Sequence, residues 1–452
     1  MSAVITKTSA AGLPAESDLT RLLEQVLDEA RRQGATQAEA SVSLGIGLSV
    51  SVRRGEVDTL EHERDRGLSV AVYFGHRQGT ASSADFSTPS VRATVAAACS
   101  IARYTSEDPA QGLADPEMLA TEIPDLDLYH PWGLDADAAI ERALACEAAA
   151  LAEDSRVSMV DSANVSSHES LRVYGNSHGF IGVVKASRHG GSCIVIARDD
   201  KGMQRDYWYT VATSPDALED AESVGRQAAS QAVRRLGSRR LNTRRAPVLY
   251  VPTMARGLIG HLVGAVSGSA LYRRSSFLLD HLGKQIFPDH VTLTEHPHRP
   301  RALGSAPFDS EGVATRDRNL VERGVLQGYV LDSYSARKLG MTTTGNAGGV
   351  HNLEISPGRL GFDDLLREMG TGLVVTELMG QGGNLVTGDY SRGAAGFWVE
   401  NGEPAYPVEE ITVAGNLRDM YRNLVAAGSD LDHRGNIITG SLLVEGMTVA
   451  GE

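Results

Sequence analysis

Ser41-Val42-Ser43-Leu44-Gly45-Ile46-Gly47-Leu48-Ser49-Val50-Ser51-Val52 places an apolar side chain at every second position. A strand points successive side chains to opposite faces, so this alternation predicts a strand with one buried face. The same period recurs at Leu68, Val70, Val72 and Phe74, with glycines between the runs. Residues 38–84 therefore read as an antiparallel meander. Just upstream, Leu19, Leu22, Leu23, Val26, Leu27 and Ala30 follow helical spacing, with Asp18 as the expected cap and Gly34 as the stop. Just downstream, Ser87-Thr88-Pro89 opens a second helix with Val91, Val95, Ala98 and Ala102 inward. Together these predict a helix-plus-meander module over 17–104.

Pro109, Pro116, Pro124 and Pro131 lie among acidic residues in 105–133, which reads as a linker. A middle α/β module is expected over 134–236. It has an Ala-rich helix at about 135–153, strand-like runs at 156–164, 170–175, 179–186, 192–198 and 206–212, and a helix at 216–235. The run Arg234-Arg235, Arg239-Arg240 and Arg244-Arg245 follows. It reads either as a solvated inter-domain linker or as a site for an anionic partner. The Gly-rich remainder, 246–452, predicts a third module of mainly antiparallel sheet. The fold class is α+β, with no fixed-period repeat.

The formal net charge of −14 gives no general affinity for nucleic acid. No run of apolar residues reaches the length of a membrane helix, and the residues after Met1 do not resemble a secretory signal. Residues 1–16 are small and polar and read as loose chain. Cys99, Cys146 and Cys193 match no metal spacing and read as reduced thiols. The expected location is cytoplasmic.

Histidines gather late in the chain: His261, His281, His290, His296, His298, His351 and His433. No His-Glu-x-x-His is present, and the pairs His62-Glu63 and His168-Glu169 have no His four or five positions after the first. The stretch Gly380 to Gly396 lacks the Lys-Ser/Thr of a phosphate loop. Ser391 lacks the glycine frame of a nucleophile elbow, since Asp389 precedes Tyr390. The bland reading is a turn-rich β region whose glycines let backbone approach a peptide. Asp309-Ser310-Glu311 reads as a solvated turn.

The segment from about 250 to 450 resembles the PmbA (TldE) family, sister to the TldD metallopeptidases. The resemblance rests on several stretches. They are Gly260-His261-Leu262-Val263-Gly264-Ala265, Leu271-Tyr272-Arg273-Arg274-Ser275-Ser276-Phe277-Leu278-Leu279-Asp280, Pro307-Phe308-Asp309-Ser310-Glu311-Gly312 and Ser333-Tyr334-Ser335-Ala336-Arg337-Lys338-Leu339-Gly340. Glu368-Met369-Gly370-Thr371-Gly372-Leu373 and Gly388-Asp389-Tyr390-Ser391-Arg392-Gly393-Ala394-Ala395-Gly396-Phe397-Trp398 complete the set. TldD-type chains carry His-Glu-x-x-x-His on the corresponding helix and a Cys ligand near the C-terminus. Here Gly260, His261 and Ala265 stand at the helix positions and Thr439 at the last one.

Zinc chemistry needs imidazoles to hold the metal and a carboxylate to take a proton from bound water. Positions i and i+5 diverge by about 140° around a helix, so the second His must sit at a helix end or a bend. Gly264 is placed to allow one. An imidazole at Gly260 is expected to overpack. The resemblance implies a cofactor-free, bacterial, cytoplasmic subunit that has no zinc of its own and pairs with a zinc-bearing TldD-type chain. That pairing would be a heterodimer or a higher assembly, with a homodimer open to the isolated chain. It further implies a chamber into which unfolded peptides enter as extended strands, for leader-peptide trimming and antitoxin degradation. His261, Tyr390, Ser391 and Arg392 are the expected chamber lining. One alternative is an independent metallopeptidase using His261, His281 and His351. Another is a protein that binds and modulates DNA gyrase directly.

Overall fold

Alternation carries the first half of the chain into one long sheet. The computed structural model describes residues 12–451; residues 1–11 and Glu452 lie outside them. The elements run α1 (Glu16–Arg32), β1 (Gln37–Arg53), β2 (Glu56–Phe74), β3 (Arg77–Ser83), α2 (Thr88–Tyr104), α3 (Ala136–Glu153), β4 (Val157–Asn176), β5 (Ile181–Arg198), β6 (Met203–Ala212) and α4 (Ala221–Arg234). The strands form a single antiparallel sheet in the order β3-β2-β1-β4-β5-β6. β1 is the hinge between the two expected modules. It pairs with β2 from Gln37 to Arg53 and with β4 from Glu39 to Val52.

Helices cover one face of this sheet in two pairs. Leu19, Leu22 and Leu23 of α1 and Val91 and Val95 of α2 bury against Val42, Leu44, Val70 and Val173. Ala139 and Ala143 of α3 and Ala228 and Ala229 of α4 bury against Val50, Val52, Val165 and Val195. Cys146 and Cys193 face one another in this second core. Asp18 is not the cap of α1. Its N–H already bonds the Ala15 carbonyl, so the helix starts at Glu16 and the Asp18 carboxylate pairs with Arg21 one turn on.

The five strand runs expected in the middle segment are three long strands. The apparent break, Ser166 to Ser170, is polar because it lies between the two helix pairs. There the covering layer is the 128–132 backbone: Tyr129 Oη donates to Glu169 at 2.5 Å, His189 Nδ1 meets Ser167 Oγ at 3.0 Å, and Trp132 meets the His189 ring edge-on at 5.4 Å. The 105–133 segment is accordingly a docked strap. Arg337 donates to the carbonyls of Ala110, Gly112 and Leu113, Lys338 pairs with Asp108 at 2.8 Å, and Ala110, Leu113, Ala114, Ala120 and Leu126 are buried.

The last segment adds β7 (Arg244–Tyr250), α5 (Pro252–Ala265), α6 (Gly268–Tyr272), β8 (Leu293–Glu295), β9 (Arg318–Glu322), β10 (Val325–Leu326), α7 (Ser333–Lys338), β11 (Leu353–Ile355), α8 (Phe362–Met369), β12 (Gly372–Met379), β13 (Asp389–Glu400), β14 (Glu403–Asn416), α9 (Leu417–Arg422), β15 (Leu424–Ala427), β16 (Ile437–Ile438) and β17 (Leu442–Ala450). One sheet has the order β14-β13-β12-β7-β17-β15, and pairing of β14 with β17 closes it on itself. A smaller sheet has the order β10-β9-β8-β11-β16. Most pairings are antiparallel; β7–β12 and β11–β16 are parallel. The fold is α+β.

Five of the six arginines of the run are solvent-exposed, as a linker reading expects, and Arg235 is buried; the run is nevertheless docked rather than loose. Arg234, Arg239 and Arg244 lie over the rings of Phe397, Tyr406 and Trp398 at 5.1, 4.6 and 4.9 Å. Arg235 reaches Glu377 at 2.6 Å. Cation–π contacts and a half-buried ion pair thus rivet the middle segment to β12, β13 and β14.

Asp309 and Glu311 are not a solvated turn either. Asp309 is 2% exposed and accepts backbone N–H bonds from Glu311, Val313 and Ala347 at 2.9 Å each. Glu311 accepts from Ser333 N–H and lies where the third segment meets Glu39, whose carboxylate takes the hydroxyls of Tyr73 and Tyr174 at 3.0 and 2.7 Å. Burial raises Glu311 to about 7 from 4.5. The folded chain therefore holds a proton that the unfolded chain releases. The associated stability is complete below 4.5 and is lost as pH rises through about 7. Glu311→Gln is expected to match the parent at pH 4 and to exceed it by about 1–3 kcal/mol at pH 8.5. Urea unfolding at the two pH values measures this.

Candidate functional site

α5 is apolar on most of its surface, and it packs between the closed sheet and β16. Ala255, Leu258, Ile259, Leu262 and Ala265 are buried there. The positions singled out in the sequence now have distinct surroundings. Gly260 faces open space: a Cβ built on it meets no atom within 4 Å. The expected overpacking at Gly260 therefore does not hold. Ala265 is the last residue of α5 and is fully buried, its carbonyl taken by Ser276 Oγ at 2.6 Å. The helix runs through Gly264 without interruption, so the i+5 position turns into the core rather than toward Gly260.

His261 lies on the third flank of the helix. Its ring meets Tyr390 edge-on at 5.9 Å and presses on the Gly383 backbone, where a built Cβ would stand 2.5 Å from His261 Cε1. Desolvation, and then the neighbouring Arg392 guanidinium, hold its imidazole below the ordinary pKa. His261 is thus a neutral ring packed against backbone.

β13 carries the rest of the cluster. Tyr390 is 2% exposed and belongs to the core. Arg392, two residues on and on the same side of the strand, points toward Gly257 of α5 and reaches the Leu378 carbonyl at 3.4 Å. Ser391 faces the other way and is exposed, its N–H held by the Gly382 carbonyl at 2.7 Å. Thr439 is fully buried, with its hydroxyl on the Gly440 carbonyl. The structure therefore brings His261, Tyr390 and Arg392 together and turns Ser391 away.

The alternative His set is held by separate partners. His281 Nδ1 is 2.6 Å from the Leu279 carbonyl. His351 is half-buried beside Glu295 and His298, and burial lowers its pKa. Among the described residues no three His, Cys, Asp or Glu side chains converge to hold a metal ion. Sequence reading missed Glu295. It is 2% exposed, paired with Arg318 at 2.8 Å, and bonded by Asn346 at 2.7 Å and the His351 N–H at 2.6 Å. Its only sequence signal was an acid inside a short apolar strand.

Three family models account for the chain: PmbA/TldA metallopeptidase domain 1 over residues 38–102, the central domain over 129–236 and the C-terminal domain over 243–451. The chain belongs to the PmbA/TldD family. It is 51% identical to the metalloprotease PmbA of Escherichia coli O157:H7 over 415 residues, 92% of each chain. It is 48% identical to the PmbA homolog of Haemophilus influenzae over 437 residues, 96% of this chain and 97% of that one.

Among solved structures, a Bacteroides thetaiotaomicron protein described as a candidate modulator of DNA gyrase matches with a TM-score of 0.91 and 29% identity, covering 97% of this chain and all (100%) of that one. TldE of Thermococcus kodakarensis shares the fold, with a TM-score of 0.84 at 20% identity over 95% of this chain and 100% of that one. No helix among the described residues is long and apolar enough to cross a membrane.

Space decides which glycine of this cluster tolerates a side chain. Gly260→Ala is expected to be neutral or stabilising by about 0.5–1 kcal/mol, since it meets nothing and favours the helix. Gly383→Ala is expected to cost about 1–3 kcal/mol by displacing His261, and His261→Ala in the same chain should recover most of it. Thermal unfolding of the three variants checks both statements.

Proposed function

We propose that this chain is the subunit of a PmbA/TldD peptidase assembly that has no catalytic metal of its own, and that it completes a TldD-type zinc peptidase acting on unfolded peptides. The observation that carries this reading is the environment of α5. Gly260 offers space but no donor, His261 is committed to Gly383 and Tyr390, and Ala265 is sealed in the core. A single neutral imidazole with neither a second ligand nor a carboxylate does not fit a zinc centre that activates water.

The relatives' description as metalloproteases then applies to the assembly, and the chemistry resides in the partner. This chain supplies walls: a long sheet, a strap and a closed C-terminal barrel that hold α5 in the family's frame. Leader-peptide trimming and antitoxin degradation are the tasks such an assembly serves, in the cytoplasm.

Metal analysis and cleavage assays separate this reading from its rivals. The tag-free chain is expected to retain far less than one zinc per chain after dialysis and to leave an unfolded peptide intact. Adding a TldD-type chain from the same organism should produce chelator-sensitive cleavage. Chelator-sensitive cleavage by the chain alone would assign it an independent centre. Co-purification with gyrase and not with a TldD-type chain would favour the gyrase reading.

A further inference from the structure

The long sheet has two faces, and α1 and α2 cover only one of them. Alternation turns Val42, Val70 and Val173 under those helices and sends Glu39, Ser41, Ser69, Arg172 and Tyr174 to the other face. That second face is built from small polar residues: Ser41 pairs with Ser69, Ser69 with Ser82, and Ala71 with Thr80. Ser310, Glu311 and Ala347 of the third segment stand over it, and a cavity of about 550 Å³ lies between.

Three ionisable side chains of opposite sign line this cavity without a counter-ion. Arg172 donates from Nε to Ser41 Oγ at 3.1 Å and makes no ion pair among the described residues. Glu39 takes the hydroxyls of Tyr73 and Tyr174, one on each carboxylate oxygen, and Glu311 takes the Ser333 N–H at 3.0 Å. Neither carboxyl group meets a cationic side chain among the described residues, and Arg172 pairs with neither. Charge drawn partly out of water is costly until it is paired. Burial raises Glu311 to about 7, so near neutral pH it is poised to ionise when a cation arrives.

The spacing selects what completes the set. Ser41, which anchors Arg172, and Glu39 are two residues apart on one face of β1, with Cα atoms about 7 Å apart. The Nη groups of Arg172 remain to hold a carboxylate, and each oxygen of Glu39 keeps a lone pair for an ammonium. A ligand that bridges the two carries both groups a few atoms apart. Ser, Thr and Ala around it leave room for a short side chain.

We propose that this cavity binds a small zwitterion of the amino-acid class, a free α-amino acid or a dipeptide, with its carboxylate on Arg172 and its ammonium between Glu39 and Glu311. The proposal does not rest on the peptidase reading.

Ligand-observed NMR titration of the full-length chain at about pH 7.5 tests it, with L-alanine and L-alanyl-L-alanine as the two zwitterions. At least one is expected to bind with a Kd below about 1 mM, and which of them does so identifies the source. N-acetyl-L-alanine lacks the ammonium and L-alaninamide lacks the carboxylate, and each is expected to bind at least about tenfold more weakly than L-alanine or the dipeptide, whichever is tighter.

Arg172→Gln is expected to weaken the zwitterion at least about tenfold and to abolish its advantage over L-alaninamide. Glu39→Gln should likewise abolish its advantage over N-acetyl-L-alanine. Thermal unfolding of both variants within a few degrees of the parent shows that the fold is kept. No binding of either zwitterion up to about 10 mM would overturn the proposal. So would blocked ligands that bind the parent as tightly as the zwitterions, or an Arg172→Gln chain that folds and still prefers the free carboxylate.

Discussion

The β1–β4 pairing is the interaction on which the rest of the molecule depends. It joins residues separated by more than a hundred positions, in unbroken register from Glu39↔Asn176 to Val52↔Ala163. Without it the first segment would be a three-stranded sheet with a second exposed edge at β1, and the middle segment one with a second exposed edge at β4. With it, β1 becomes a central strand whose one face serves two helix pairs in succession: Val42 and Leu44 under α1 and α2, Leu48, Val50 and Val52 under α3. The polar gap between the helix pairs is then sealed by the strap. Once sealed, the strap fixes Arg337 of α7 and, through it, the third segment. Closing so long a loop has an entropic cost, which the apolar rows on both sides of β1 offset.

Periodicity made the first half of this architecture legible. Every residue read as apolar and inward in α1 and α2 is buried except Leu27, which packs partly against the same core. Boundaries were less legible where a long strand passes from one covering layer to another. Ser166 to Ser170 look like a loop because their cover is backbone and polar side chains, and no local pattern announces that. The arginine run was legible as solvent-exposed but not as docked, for a related reason. Charge predicts the exposure these side chains show, but the aromatic faces that receive Arg234, Arg239 and Arg244 lie more than a hundred and fifty residues away. Asp309 shows the opposite case, a carboxylate made tolerable in the interior by three N–H donors that only the folded loop supplies.

The cluster around α5 was legible as a set of positions and illegible as a set of environments. The helix motif identified Gly260, His261 and Ala265, but their directions follow from where α5 lies between two sheets. Three faces of one short helix point to open space, to a glycine-rich loop and to the core. Sequence spacing of one and five residues already implied that divergence around the helix. What it left open was which direction would be hollow, and that turned out to be the face of Gly260.

This asymmetry bears on which positions of the helix the fold itself depends on. A metal centre needs several donors aimed at one point, so it constrains every element that carries a donor. A packed helix needs only complementary apolar contacts, which tolerate small residues at any single position. In this chain the core face of α5 is filled by Leu258, Ile259, Leu262 and Ala265, and its stability does not rely on Gly260 at all. His261 is held by contact with Gly383 and Tyr390, and Arg392 is held by the Leu378 carbonyl. The side chains near the motif are thus held mainly by their own packing, although Tyr390 Oη and Arg392 Nε are buried without a hydrogen-bond partner. The helix is a structural member in its own right, and its position between the two sheets is maintained by the same apolar contacts whatever stands at the exposed face.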